Sequence, residues 1–264
     1  MQNAQTFNRH AAQAQIKAPG AHLVALEWRA PFEALGSAAL WPWLMQGPRG
    51  DGHAVLVLPG LAASDTSTGT LRRFLKKKGY VPHGWAQGRN LGPRPGVFEA
   101  CLERVHELHR ISGRKISVIG WSLGGVYARE LAKRAPEAVR CTITLGTPFT
   151  GHPKASNAWR FYEWVSGRKA DDPKGFARLS EAPTVPTTSI YSRSDGVVAW
   201  QCSIQQPGAR TENIEVRASH VGMGAHPAVL YAVADRLAQP EGQWQAFHRD
   251  GVRRLIYGDA ARAL

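Results

Sequence analysis

The sequence predicts an α/β fold, a mainly parallel sheet with helices on both faces. Two observations lead there. Short apolar, β-branched runs alternate with amphipathic runs between residues 53 and 237, the pattern of repeated strand–helix–strand crossovers. One junction also reads as strand, Gly-x-Ser-x-Gly, helix, with the glycines at 120 and 124. A chain of 264 residues, 43% hydrophobic, suffices for one large domain of this kind.

The elements follow in order. Residues 53–58 form an apolar strand, 66–78 a helix ended by Gly79, and 80–85 a short strand. Residues 96–111 are helical, with Val97, Cys101, Val105 and Leu108 on one face. Strands are expected at 115–119, 139–145, 188–191 and 213–216, and helices at 123–134 and 226–237. Residues 1–52 form an N-terminal extension packed on the 53–238 domain, and 239–264 a tail. In the tail Trp244, Phe247, Val252, Leu255 and Ile256 fall at roughly helical spacing, so docked helices are expected. Residues 148–186 interrupt the alternation and read as a helical lid or cap inserted at the functional edge of the sheet. The aromatics of this insertion either face a lipophilic substrate or pack on their own domain.

Composition sets further bounds. The apolar stretch from His22 to Met45 is broken by Glu27, Arg29, Pro31 and Glu33, so it does not supply the about 20 residues of a membrane span. The first residues lack the apolar centre of a secretory signal, so a cytoplasmic protein is expected. Cys101, Cys141 and Cys202 have no metal-ligand spacing and read as mostly buried thiols, leaving room for one pair. The net charge of +13 is spread along the chain. It brings no nucleic-acid-binding motif with it, and is read as a solubilising surface able to touch anionic membranes. The densest basic cluster, Arg72-Arg73-Phe74-Leu75-Lys76-Lys77-Lys78, closes a helix, where cations suit the dipole.

The chemistry-bearing stretch is Gly120-Trp121-Ser122-Leu123-Gly124. A sharp strand-to-helix turn would expose the Ser122 hydroxyl beside the free N–H groups of a helix start. A serine needs a base in reach, and the base an orienting acid, in the chain order Ser, Asp or Glu, His. Asp195 follows the 188–191 strand in a Ser194-Asp195-Gly196 turn, and His220 follows the next strand in Ser219-His220. The rivals are weaker. Asp171, Asp172 and Glu181 follow no strand, His152 precedes every credible acid, and His226 stands before Pro227 where a cap suits it. Leu61 and Leu123 are the candidate N–H donors for an oxyanion. Trp121, Trp159 and Tyr162 are the candidates for substrate contact, and no metal or other cofactor is expected.

With these motifs, and with Leu58-Pro59-Gly60-Leu61 and Gly88-Arg89-Asn90-Leu91-Gly92-Pro93, residues 53–237 resemble the α/β-hydrolase superfamily, and within it the bacterial lipase and esterase branch. Such lipases often carry His-Gly at the oxyanion loop, where this chain has Pro59-Gly60. The resemblance implies an α/β-hydrolase fold and a serine hydrolase acting on small-molecule or lipid esters. Asn90 is expected to brace its loop. Some lipases of the branch hold calcium near the histidine loop; no acidic pair adjoins His220 in sequence, so no metal is expected there. The same triad would serve an acyltransferase or thioesterase, and the same fold a lipid-binding protein without chemistry.

Overall fold

The apolar run after His53 becomes β1 (Ala54–Leu58), buried throughout. His53 itself stays outside the strand because its backbone N–H bonds the Asp51 carboxylate at 3.2 Å. The computed structural model describes residues 16–152, 154–167, 169 and 179–260. Among these, β1 is followed by β2 (Val81–Gly84), β3 (Ile116–Trp121), β4 (Val139–Leu145), β5 (Thr187–Ser192) and β6 (Thr211–Val216). All pair in parallel, in the order β2-β1-β3-β4-β5-β6. The chain leaves β1 to one side, then crosses to the other to make β3. The gap between β1 and β3 is therefore a topological switch point, where α/β sheets open a crevice at the carboxyl ends of the strands.

The helices are α1 (Ala21–Leu26), α2 (Ala30–Ala39), α3 (Trp41–Gln46), α4 (Gly69–Lys77), α5 (Val97–Ser112), α6 (Leu123–Arg134), α7 (Trp159–Ser166), α8 (Pro227–Leu237) and α9 (Arg253–Ile256). Strand alternation sorts the core into two faces. Val55 and Val57 of β1 pack with Leu71, Phe74 and Leu75 of α4 and with the apolar face of α8. Ala54, Leu56 and Leu58 pack with Cys101, Val105 and Leu108 of α5 and with Ala128 and Leu131 of α6. Helices thus cover both faces of the parallel sheet, as expected.

Most differences lie at element ends. β5 begins at Thr187 and β6 at Thr211, ahead of the expected 188 and 213; Thr187 is buried like the rest of β5. Thr188 Oγ1 donates to Glu212 of β6 at 2.7 Å. The expected helical tail is corrected: among the described residues from 239 onward only α9, four residues long, is an α-helix. The tail docks instead through single anchors. The Tyr257 hydroxyl donates to the Ala228 carbonyl at 2.8 Å, and Phe247 N–H to Glu212 at 2.7 Å.

The basic cluster of α4 also acts away from its own helix. Lys78 is buried and its ammonium donates to the carbonyls of Leu44, Met45 and Gly47, so it caps the end of α3. All three cysteines are free thiols. No helix among the described residues is long and apolar enough to cross a membrane; the 22–45 stretch is cut into separate short helices.

Candidate functional site

Ser122 stands between β3 and α6 with φ 53° and ψ −122°. Among the described non-glycine residues it shares a positive φ only with Ala62 and Ala86. Such a conformation costs roughly 1–3 kcal/mol and persists only where its surroundings enforce it. Here Ser122 N–H is tied to the Leu145 carbonyl at 2.8 Å, and its own carbonyl accepts from Gly125 N–H at 2.9 Å. The turn is also crowded. A Cβ at Gly120 would collide with the Gly124 carbonyl and Gly125 Cα, and one at Gly124 with the Leu58 carbonyl. Both glycines are required by close approach, and the second brings α6 against the loop after β1.

Asp195 follows β5 and His220 follows β6; both are buried, with exposures of 3% and 6%. His220 Nδ1 lies 2.7 Å from Asp195 Oδ2. The other carboxylate oxygen accepts from Val197 N–H at 2.8 Å and Val198 N–H at 2.7 Å, which fixes the direction of Oδ2. Burial alone would push the imidazole pKa down. The adjoining Asp195 carboxylate, its hydrogen bond and the charge of Glu27 together carry it above the ordinary histidine value. A Cβ at Gly146, directly after β4, would sit 3.1 Å from both Asp195 Oδ2 and His220 Nδ1. Leu145 at the end of β4 holds Ser122, and the next residue, Gly146, adjoins the Asp195–His220 pair, so the three residues follow β3, β5 and β6 on one edge of the sheet.

The loop after β1 lies against the serine: a Cβ at Gly60 would be 3.3 Å from Ser122 Cβ. Ala62 and Ala63 N–H donate to the Asn90 and Gly60 carbonyls, whereas Leu61 N–H has no backbone acceptor among the described residues. Leu123 is the first residue of α6, so its N–H has no intrahelical acceptor either. Asn90 is fully buried; its amide donates to the Pro59 carbonyl at 2.8 Å and its side-chain oxygen accepts from Gly92 N–H at 3.2 Å. It braces the loop, as its sequence context suggests.

The three aromatic candidates are placed differently. Trp121 packs against the core, and its indole donates to the His220 carbonyl at 3.0 Å. That bond anchors the histidine loop. Tyr162 of α7 lies against Gly92, in the loop that Asn90 braces. Trp159, at the start of α7, has the Lys154 ammonium 5.4 Å from its ring centroid.

Among the rivals, His226 caps α8 by accepting Ala228 N–H at 3.2 Å, and Glu181 offers its carbonyl to the buried Arg129. His152 accepts from Lys154 N–H at 3.1 Å. Asp171 and Asp172 lie outside the described residues.

Sequence reasoning missed the carboxylates that reach the histidine loop from the N-terminal segment. Glu27 accepts from Gly196, His220 and Val221 N–H, and Glu33 from Ser219 N–H and hydroxyl. An acidic pair therefore does border His220, brought there from far away in sequence. In the chain these residues register only as charges interrupting an apolar run, with Arg29–Glu33 at helical i,i+4 spacing. Nothing local points to residue 220. A hollow of about 490 Å³ borders this segment, lined in part by Arg29, Phe32, Glu33, Ser194, Arg217 and His226; Ser122, Asp195 and His220 do not line it.

A second Asp–His–Ser chain lies at the opposite edge of the sheet. His53 Nδ1 is 2.5 Å from Asp51 Oδ1 and its Nε2 is 2.8 Å from Ser117 Oγ. Asp51 Oδ2 also accepts from Arg114 at 2.5 Å and Arg140 at 2.8 Å. His53 and Ser117 are both fully buried.

A strained serine at a strand–helix junction thus stands on the same edge of a parallel α/β sheet as a buried Asp–His pair. The chain matches the family model of the alpha/beta hydrolase fold over residues 34–178, more than half its length, and it belongs to that family. No curated protein matches it. Three solved structures resemble it. Lipase B of Aspergillus fumigatus has a TM-score of 0.57 at 19% identity, over 73% of this chain and 54% of that one. A metagenome-derived lipolytic enzyme has 0.56 at 14%, over 72% and 95%. The monoacylglycerol lipase of Paleococcus ferrophilus has 0.51 at 15%, over 72% and 96%. The matched part spans little more than half the length of the fungal lipase, and at these identities the likeness is one of fold.

Proposed function

We propose that this protein is a carboxylic ester hydrolase, with Ser122 as nucleophile, His220 as base and Asp195 as the acid that orients it. The observation that carries the reading is the positive φ of Ser122 on the same sheet edge as the buried Asp195–His220 pair. Ser122 Oγ attacks the ester carbonyl while His220 Nε2 takes its proton. The N–H groups of Leu61 and Leu123 hold the oxyanion, for which one such donor is typically worth about 3 kcal/mol. His220 returns the proton to the departing alcohol. A water molecule activated by the same imidazole then releases the acid and restores Ser122.

Lipid-borne esters suit the surface beside the site. Val24 and Trp28 of the N-terminal segment are exposed, as is Val221 in the histidine loop, and the excess of basic residues favours anionic membranes. The test is labelling with a fluorophosphonate, mapping of the modified peptide, and then a series of p-nitrophenyl esters of rising chain length. Modification at Ser122 with ester turnover supports the reading. A folded protein that neither labels nor turns over any ester defeats it.

A further inference from the structure

The N-terminal segment carries three charged side chains that grip the two loops bearing Asp195 and His220. Glu27 Oε1 accepts from Gly196 N–H at 2.7 Å, in the aspartate loop, and from His220 N–H at 2.9 Å. Its Oε2 accepts from Val221 N–H at 2.9 Å. One carboxylate therefore ties the residue after the acid to the base and to the residue after the base. Glu33 adds a second grip, with Oε1 on Ser219 N–H at 2.8 Å and Oε2 on the Ser219 hydroxyl at 2.6 Å. Arg29 bonds Glu33 at 2.9 Å and reaches the Ser194 hydroxyl at 2.8 Å and carbonyl at 3.1 Å. The fit is close: a Cβ at Gly196 would collide with the Leu23 carbonyl, and one at Gly222 with the Glu33 carboxylate.

We propose that Glu27 is a positioning residue for the histidine base: it locks the aspartate loop to the histidine loop and adds a second negative charge behind the imidazole. This rests on the ester-hydrolase reading of Ser122 and His220. Charge-assisted bonds from a carboxylate to backbone N–H groups are the stronger kind, and this one makes three. Its charge acts in the same direction as Asp195 on the imidazole. The other charged groups nearby are arranged differently. Glu33 and Arg29 pair with each other on the neighbouring residues Ser219 and Ser194. Both also act on His226, and Arg217 lines the same hollow as all three.

The test compares wild type with Glu27→Gln and Glu27→Ala on a water-soluble p-nitrophenyl ester, together with NMR titration of the His220 imidazole. Glu27→Ala is expected to lower kcat by about 10- to 100-fold with KM changed less than threefold, since the substrate site is untouched. Glu27→Gln keeps size and one acceptor oxygen but loses the charge. It should retain more activity, with the acid limb and the imidazole pKa both moved about 0.5 unit lower. A purely structural role would lower the melting temperature and leave the acid limb in place. Wild-type kcat in both variants, or an imidazole titration that does not move, overturns the proposal. If wild type fails to label at Ser122 and turns over no ester, the functional reading has failed instead, and the imidazole titration still decides the role of Glu27. Should Glu27→Ala not fold, Glu27→Gln and the titration suffice.

Discussion

The molecule holds two hydrogen-bonded histidines that each join an aspartate, at opposite edges of the same sheet. At the lower edge, Asp51, His53 and Ser117 form an unbroken chain of contacts of 2.5 and 2.8 Å. At the upper edge, Asp195 and His220 are 2.7 Å apart on the same edge as Ser122. The two Asp–His contacts scarcely differ in length; their surroundings do. Ser117 lies in the paired body of β3 and is sealed from solvent. The Asp51 carboxylate is shared with two guanidinium groups. Burial then dominates at His53 and pushes its pKa down, with Arg140 and Arg114 adding to the effect against Asp51. At His220 burial acts in the same sense, but Asp195 bonds no arginine among the described residues and both its charge and that of Glu27 favour the imidazolium, so the pKa rises. The lower chain is a polar brace that runs from the exposed Asp51 to the buried His53 and Ser117. The upper one shares its edge with the strained turn at Ser122 and with Leu61 and Leu123 N–H groups that have no backbone acceptor among the described residues.

The largest expected effect is at the nucleophile. Ser122→Ala should reduce ester turnover by about a million-fold, while Ser117→Ala leaves kcat within twofold; equal losses would erase the distinction between the chains. Asp195→Asn should cost about 10⁴ in kcat through the wrong imidazole tautomer, measurable by steady-state kinetics with the fold intact by circular dichroism. Asp51→Ala should leave kcat nearly unchanged and lower stability by roughly 1–3 kcal/mol in denaturant unfolding. It strips a partner from buried Arg140, whose side chain is 7% exposed. The smallest effect is on pH. His53, held neutral by the fold, makes stability fall as pH drops below about 6.5, because the unfolded chain then binds the extra proton. His220 works the other way: its raised pKa adds stability below about 6.5 that fades as pH rises through the folded value. Unfolding of His53→Gln between pH 5 and 7.5 should be less acid-sensitive than wild type; an unchanged slope would break the comparison.

Much of this was legible in the chain. The strands of the central sheet, the glycine-flanked turn at Ser122 and the chain order Ser122, Asp195, His220 each rest on local patterns of two or three residues. The part that escaped is the part without a local pattern. Thr187 lies outside the expected 188–191 strand yet is a buried residue of β5, and the polar Thr188 and Ser189 find partners in Glu212 and the Ser203 carbonyl. Trp121 carried no sign that its indole would bond the His220 carbonyl 99 positions away. The tail had helical spacing, but its anchoring falls to single contacts such as that of Tyr257.

The clasp also sets an order of assembly. Its bonds join residues 165 to 194 positions apart, among the longest closures in the fold. Neighbouring strands β3 and β4 can pair once residues 122–138 between them have collapsed. Glu27 must wait until the loop after β6 exists and has docked. An early segment is thus engaged by one made nearly 200 residues later. During synthesis the turn at Ser122 can form well before His220 is seated on Glu27.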